Sequence, residues 1–258
     1  MLRVKNISYQ PSGKVILENV SAEFLPGRLN LIIGPNGAGK STLIKVICNQ
    51  LKPTRGDIFY SQKNLSEIGI EELAKKRSVL SQNVELAFPL MVREVVMMGR
   101  YPHFTGKPAA RDEAAVEEAM RFFDVSHLSE RNCLTLSGGE KQRVQFARVL
   151  SQIWYPYQDE TRFLILDEPL TFLDVHYQFD FMHKVIHLLS SQDIVVIGVV
   201  HDLNLAAKFG DHILLLLDGK VLSAGNRNKV LSAQNIQTAY HLEPIIHKQD
   251  DEMHIFFR

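Results

Sequence analysis

The chain has 258 residues, enough for one large α/β domain or two small ones, and 45% of them are hydrophobic, which supplies a sizeable core. Its 29 Lys+Arg balance 29 Asp+Glu, so the basic excess of a nucleic-acid-binding surface is missing and no nucleic-acid partner is expected. Cys48 and Cys133 lie far apart with no CxxC and read as buried apolar residues in a reducing compartment. The N-terminus MLRVKNISYQ has no apolar signal core, and no run approaches the roughly 18 apolar residues of a membrane span. The chain is therefore expected to be soluble and cytoplasmic, reaching a membrane through a partner.

Leu2–Tyr9 alternates and predicts a strand, and Val15–Leu25 predicts another after a turn at Pro11-Ser12-Gly13. The apolar run Leu29–Ile33 predicts a buried strand, and Thr42–Leu51 a helix. Between them, Gly34, Pro35, Asn36, Gly37, Ala38, Gly39, Lys40, Ser41 and Thr42 fit G-x-x-x-x-G-K-[ST]. The glycines let the backbone turn tightly and bring N–H groups to phosphate oxygens. Lys40 supplies a point charge for the β- and γ-phosphates, Ser41 offers a hydroxyl to Mg²⁺, and the helix N-terminus adds partial positive charge. Binding of ATP or GTP is the reading. Phe59–Tyr60 closes the small sheet after Arg55-Gly56-Asp57.

Gln82 follows a strand-like SVLS, and a neutral amide there can bind Mg²⁺ or order water. Pro89, Gly99, Pro102, Gly106 and Pro108 then punctuate the chain, and Arg111–Phe123 has helical spacing. LSGGE at 136–140 opens a helix over Gly139–Ile153. Ser137, Gly138 and Gly139, with Glu140 after them, leave exposed donors at its N-terminus: a second anion site, or only a cap. Residues 85–155 thus read as a mostly helical insertion. FLILDE at 163–168 predicts a buried strand ending in two acids at the edge of a parallel sheet, where ligands bind. Asp167 is the candidate for Mg²⁺, and Glu168, the next acid, for the general base acting on water. A helix over His176–Leu189 follows, then strand Ile194–Val200 ending at His201, and helix Leu203–Phe209. Strands His212–Leu217 and Lys220–Ala224 join at Asp218-Gly219, a hairpin signal. The tail, Gln234 to Arg258, is expected to add a helix and a short strand. The histidines other than His201 show no ligand spacing.

With GPNGAGKST, LSGGE and FLILDE on one chain, the sequence resembles the ABC ATPase family over nearly its whole length. The resemblance implies an α/β P-loop NTPase of ABC type: a mostly parallel core sheet, an antiparallel β subdomain and a helical subdomain. It implies one domain over 1–258, with 1–84 and 156–258 forming the core and β subdomain and 85–155 the helical part. It also implies ATP and Mg²⁺ as ligands. A head-to-tail homodimer would sandwich each nucleotide between one subunit's loop and the other's LSGGE. Tyr9 matches the aromatic that stacks on adenine, Gln82 the family's sensing glutamine, His201 its γ-phosphate switch histidine, and Leu173-Asp174 the loop that crosses the dimer interface. The family commonly reads LDEPTSALD where this chain reads LDEPLTFLD, so contacts beside Leu170, Thr171 and Phe172 are open.

One ATPase unit without spans resembles the separate subunit of an importer. It would sit peripherally on the cytoplasmic face of the inner membrane, with two copies of a polytopic permease and, indirectly, a periplasmic substrate-binding protein. QNVELAFPLMVREVVMMGRYPH (82–103) is similar to subunits serving iron-siderophore, haem and cobalamin permeases, and the extra segment Trp154–Thr161 resembles the haemin-import ATPases. Cobalamin or siderophore import is the alternative, then a soluble non-transport ABC ATPase.

Overall fold

The computed structural model describes residues 1–81, 88–158, 160–171, 173–191, 193–250 and 252–258, the side chain of Ser191 excepted. Its first half comprises β1 (Leu2–Tyr9), β2 (Leu17–Phe24), β3 (Leu29–Ile33), α1 (Lys40–Ile47), β4 (Arg55–Tyr60), β5 (Lys63–Asn64), α2 (Ile70–Lys76), β6 (Arg77–Leu80), α3 (Val92–Met97), α4 (Ala110–Phe122) and α5 (Gly138–Gln152). The second half comprises β7 (Arg162–Leu166), α6 (Val175–Ser191), β8 (Ile194–Val199), α7 (Leu203–Phe209), β9 (His212–Leu217), β10 (Lys220–Gly225), α8 (Arg227–Val230), α9 (Ala233–Tyr240), β11 (Pro244–Gln249) and β12 (Glu252–Phe257).

Strands apolar at nearly every position need cover on both faces. β3, β7, β8 and β9 meet that condition at the centre of a six-stranded sheet ordered β10-β9-β3-β8-β7-β6, parallel except for the β9–β10 hairpin. Because side chains alternate across a strand, the same strands feed two cores. Leu31, Leu164, Val196 and Leu215 point to the core shared with α3 to α7. Ile32, Ile165, Ile197 and Leu214 point to the core shared with α1 and the antiparallel sheet β2-β1-β4-β5. That second sheet alternates buried and exposed positions along β2, as a sheet with one wet face should.

The helical side is pinned by a buried ion pair. Arg100 and Asp112 are 3% and 6% exposed, and Arg100 Nη2 lies 3.0 Å from Asp112 Oδ1. Arg100 Nη1 also donates to the carbonyls of Ser151 and Gln152 at the end of α5, at 2.8 and 3.1 Å. Asp112 Oδ2 accepts from Ala109 N at 2.9 Å, closing the first turn of α4. Trp154 and Tyr155 pack beside this cluster: Trp154 Nε1 donates to Glu118, Tyr155 hydroxyl donates to Glu118 at 2.9 Å, and Arg111 covers the Tyr155 ring at 5.1 Å.

Most elements fall where the pattern placed them, and three differ. The helix after the phosphate loop starts at Lys40 rather than Thr42 and ends at Ile47. α2 and β5 were not expected; both are short, and α2 carries Glu71, Glu72, Lys75 and Lys76 around a single buried leucine, Leu73. The tail holds two helices and the antiparallel hairpin β11–β12, more than one helix and one strand. The hairpin was hidden because five of the six β11 side chains are polar, exposed or proline-edged, so its alternation is weak. Among the described residues, no helix is long and apolar enough to cross a membrane.

Asp112→Ala leaves the Arg100 guanidinium buried without its counter-charge, which costs about 3–5 kcal/mol. Urea denaturation should show a drop of this size; a loss below about 1 kcal/mol would mean the pair does not pin the helices.

Candidate functional site

β3 delivers the phosphate loop. Gly34 has φ 145°, and a Cβ there would lie 2.3 Å from the Leu216 carbonyl oxygen of β9, so no other residue fits. The β9–β10 hairpin supports the loop from the other side: Gly219 N donates to Ala38 O at 3.2 Å, and a Cβ on Gly219 would strike Ile16 O at 2.3 Å. α1 starts at Lys40 with Gly39 as N-cap, and no side chain caps it. Its first N–H groups are therefore available to an anion. Lys40 is 5% exposed and donates through Nζ to the carbonyls of Gly34 and Pro35, at 2.7 and 2.9 Å. Burial lowers its pKa, and the charges of Glu168 and Asp167 oppose that shift.

β7 and β8 bring the remaining groups to the same sheet edge. Asp167 is 8% exposed. Its Oδ1 has no hydrogen-bond partner, and the Ser41 hydroxyl stands beside the carboxylate. Burial, then the neighbouring Glu168, raises the Asp167 pKa; Lys45 and the Ser41 hydroxyl act against the rise. A buried, partnerless carboxylate oxygen beside a hydroxyl suits a hard divalent cation that keeps waters and phosphates as its other ligands. Glu168 sits in the left-handed region at φ 53°. Thr171 stabilises that turn, its backbone N and Oγ1 both donating to Glu168 O, at 3.4 and 3.1 Å. His201 Nε2 lies 2.8 Å from Glu168 Oε1. Asp202 caps α7 by accepting from Asn204 N and Leu205 N.

A cavity of about 490 Å³ is lined by Asn36, Gly37, Gly39, Lys40, Ser41, Thr42, Glu168 and His201, so the structure gathers these predicted residues. It adds five that the sequence reading missed: Lys14, Val15, Ile16, Asp218 and Gly219. The hairpin dipeptide was the only signal for any of them. Tyr9 does not line this cavity; it is half-buried at the end of β1, opposite Leu17. Gln82 and Phe172 lie outside the described residues.

Ser137, Gly139 and Glu140 line a different concavity with Arg143, Leu173, Asp174 and Tyr177. Ser137 caps α5, and its N and Oγ both donate to Glu140 Oε2 at 2.8 Å. Gln142 Nε2 donates to Pro169 O at 3.0 Å, tying this helix to the loop after the two acids. Leu170 and Leu173 are buried in the core, so the apolar character of LDEPLTFLD is partly a packing feature.

The fold and the loop define a phosphate-loop nucleoside triphosphatase. The ABC transporter family profile matches residues 17–171. A protein named hemin import ATP-binding protein HmuV, from Gloeobacter violaceus, is 44% identical over 95% of this chain and 89% of its own length. Proteins of the same name from Escherichia coli O157:H7 and Pseudomonas aeruginosa are 40% and 38% identical, over 93% and 98% of this chain and 92% and 98% of theirs. An inward-facing metal-chelate type ABC transporter superposes with a TM-score of 0.81 at 23% identity, covering 100% of this chain and 96% of the other. A bacterial ABC transporter cassette solved as a dimer gives 0.75 at 26% identity, over 88% and 99%. The chain belongs to the ABC transporter family, as one of its nucleotide-binding, ATP-hydrolysing subunits.

Lys40→Ala removes the cation meant for the β- and γ-phosphates and should weaken ATP binding about a hundredfold by calorimetry. Affinity within about threefold of wild type would remove Lys40 from the site.

Proposed function

We propose that the protein powers a haemin importer. What carries this reading is that four relatives, 36–44% identical and matched over 93–98% of this chain, bear the hemin-import name. The extra segment Trp154–Thr161 supports it from the sequence. The subunit would act at the cytoplasmic face of the inner membrane with two permease copies, and a periplasmic binding protein would deliver cargo. Residues 85–155 would form the helical subdomain, on a core built from 1–84 and 156–258.

In this reading the loop Gly34–Thr42 holds the triphosphate, and Lys40 leaves the Gly34 and Pro35 carbonyls for the phosphates. Ser41 and Asp167, with Gln82, would hold Mg²⁺, which when bound neutralises charge on the β- and γ-phosphate oxygens. Glu168 takes the proton from the attacking water, and His201, 2.8 Å from that carboxylate, orients it and faces the γ-phosphate. Tyr9 would stack on the adenine. Ser137, Gly138, Gly139, Glu140 and Asp174 would serve the nucleotide of the other subunit, since all but Gly138 line a separate concavity. Phe88, Met91 and Tyr101 are the exposed apolar residues of the 88–103 segment and would receive a permease helix.

Glu168→Gln keeps the amide's reach but cannot accept a proton. It should bind ATP normally and lower kcat about a hundredfold or more; turnover within a few-fold of wild type would exclude Glu168 as base. Ser137→Arg should bind ATP as a monomer and fail to hydrolyse it, and mixing it with Lys40→Ala protein should restore activity, because one composite site then carries both lesions and the other neither. Tyr101→Glu should leave the isolated subunit's ATPase unchanged and abolish uptake once permease is added; uptake at the wild-type rate would move the docking surface elsewhere. The cargo is tested in vesicles containing the cognate permease and binding protein: haemin, and not cobalamin or ferric siderophore, should accumulate with ATP.

A further inference from the structure

A second cavity, of about 520 Å³, opens between α6, α7 and β12 and shares no lining residue with the nucleotide site. Its volume lies within the range of small-molecule pockets. Phe179 and Phe209 form an aromatic wall, their rings edge-on at 5.6 Å, and Met253 adds an apolar contact from β12. Two imidazoles from different elements join the lining: His183 of α6, edge-on to Phe209 at 5.3 Å, and His254 of β12. Lys208 and Arg227 supply positive charge, with Lys208 Nζ 5.7 Å from the centre of the Phe179 ring. Each carboxylate of the lining already has partners, Glu252 within the lining itself. Asp202 caps α7, Asp211 accepts from Leu29 N at 2.8 Å, and Glu252 pairs with Lys208 at 3.2 Å and His254 at 3.5 Å.

We propose that this cavity binds an iron porphyrin carrying carboxylates, and that occupancy slows ATP hydrolysis; the ligand rests on the haemin reading above. Aromatic and thioether groups pack against a flat macrocycle. A neutral imidazole is an axial ligand for its iron. Lys208 and Arg227 match its carboxylates, Lys208 by exchanging Glu252 and Arg227 by exchanging present partners such as the Ala207 carbonyl for the ligand. The link to catalysis is short and runs through two hydrogen bonds and then the backbone. The side-chain amide of Asn204 makes two bonds to β12: Nδ2 donates to Ile255 O at 3.1 Å, and Ile255 N donates to Oδ1 at 2.8 Å. Asn204 lies in the first turn of α7, two residues after the capping Asp202 and three after His201. A ligand seated between β12 and α7 therefore bears on the element that sets His201 against Glu168. The importer would so sense accumulated cargo on the side where it is delivered.

The test is a haemin titration of the full-length subunit, followed by the Soret band and by ATPase rate, with iron-free protoporphyrin and cobalamin as controls. One equivalent should bind with a histidine-ligated spectrum and lower the ATPase rate. The double variant His183→Ala, His254→Ala, both exposed positions, should keep its basal ATPase, bind haemin about tenfold or more weakly, and escape inhibition. Equal binding by the variant means adventitious porphyrin adsorption and overturns the site. Binding that leaves hydrolysis unchanged overturns the regulation. If vesicles accumulate haemin and the subunit does not bind it, the cavity proposal falls alone; if the subunit binds haemin and the vesicles move another cargo, the cargo reading falls.

Discussion

Parallel pairing of β3, β7 and β8 is the constraint on which the nucleotide site depends. Strands that run the same way end at the same edge, and ligands bind there. β3 ends in the loop with Lys40, β7 in Asp167 and Glu168, and β8 in His201. Burial on both faces makes that edge stiff, and the stiffness sustains local arrangements that a softer frame would relax. Asp167 keeps a buried oxygen without a partner, and Glu168 keeps a left-handed backbone. Strain of this kind costs about 1–3 kcal/mol and persists where surrounding structure over-determines it.

Both groups named for phosphate are held by bonds within the chain. Lys40 donates to two loop carbonyls, and the Ser137 hydroxyl donates to Glu140. The phosphate loop and the N-terminus of α5 sit in separate concavities, and Gln142 ties α5 to the loop at Pro169. A sandwiched nucleotide would engage the loop of one subunit and the start of α5 of the other, and the Gln142 bond gives α5 a direct mechanical tie to the loop that follows the two acids.

The chemistry at strand ends was legible because it is local. Glycine spacing, an acid pair after four apolar residues, and a histidine closing an apolar strand each occupy a few consecutive positions, and the structure brings Lys40, Ser41, Asp167, Glu168 and His201 together. What stayed hidden depends on contacts between distant segments. Val15 and Ile16 look like an ordinary strand start, and only the approach of Gly219 places them at the loop. The buried Arg100–Asp112 pair had no signal, since each residue alone reads as a surface charge. Thr171 looked like a departure from the family pattern, and its hydroxyl supports the turn that holds Glu168. His183 and His254 had no ligand spacing because α6 and β12 meet only in the folded chain.

The central claim is that ATP is hydrolysed between two copies of this chain. The specific ATPase rate, measured at saturating ATP over a wide range of subunit concentrations without permease, tests it most directly. If the active species is a dimer that forms reversibly, the rate per subunit rises with concentration, in proportion at the dilute end, and then levels off. A rate per subunit that stays constant from the most dilute sample upward, where the protein sediments as a monomer, would contradict the account.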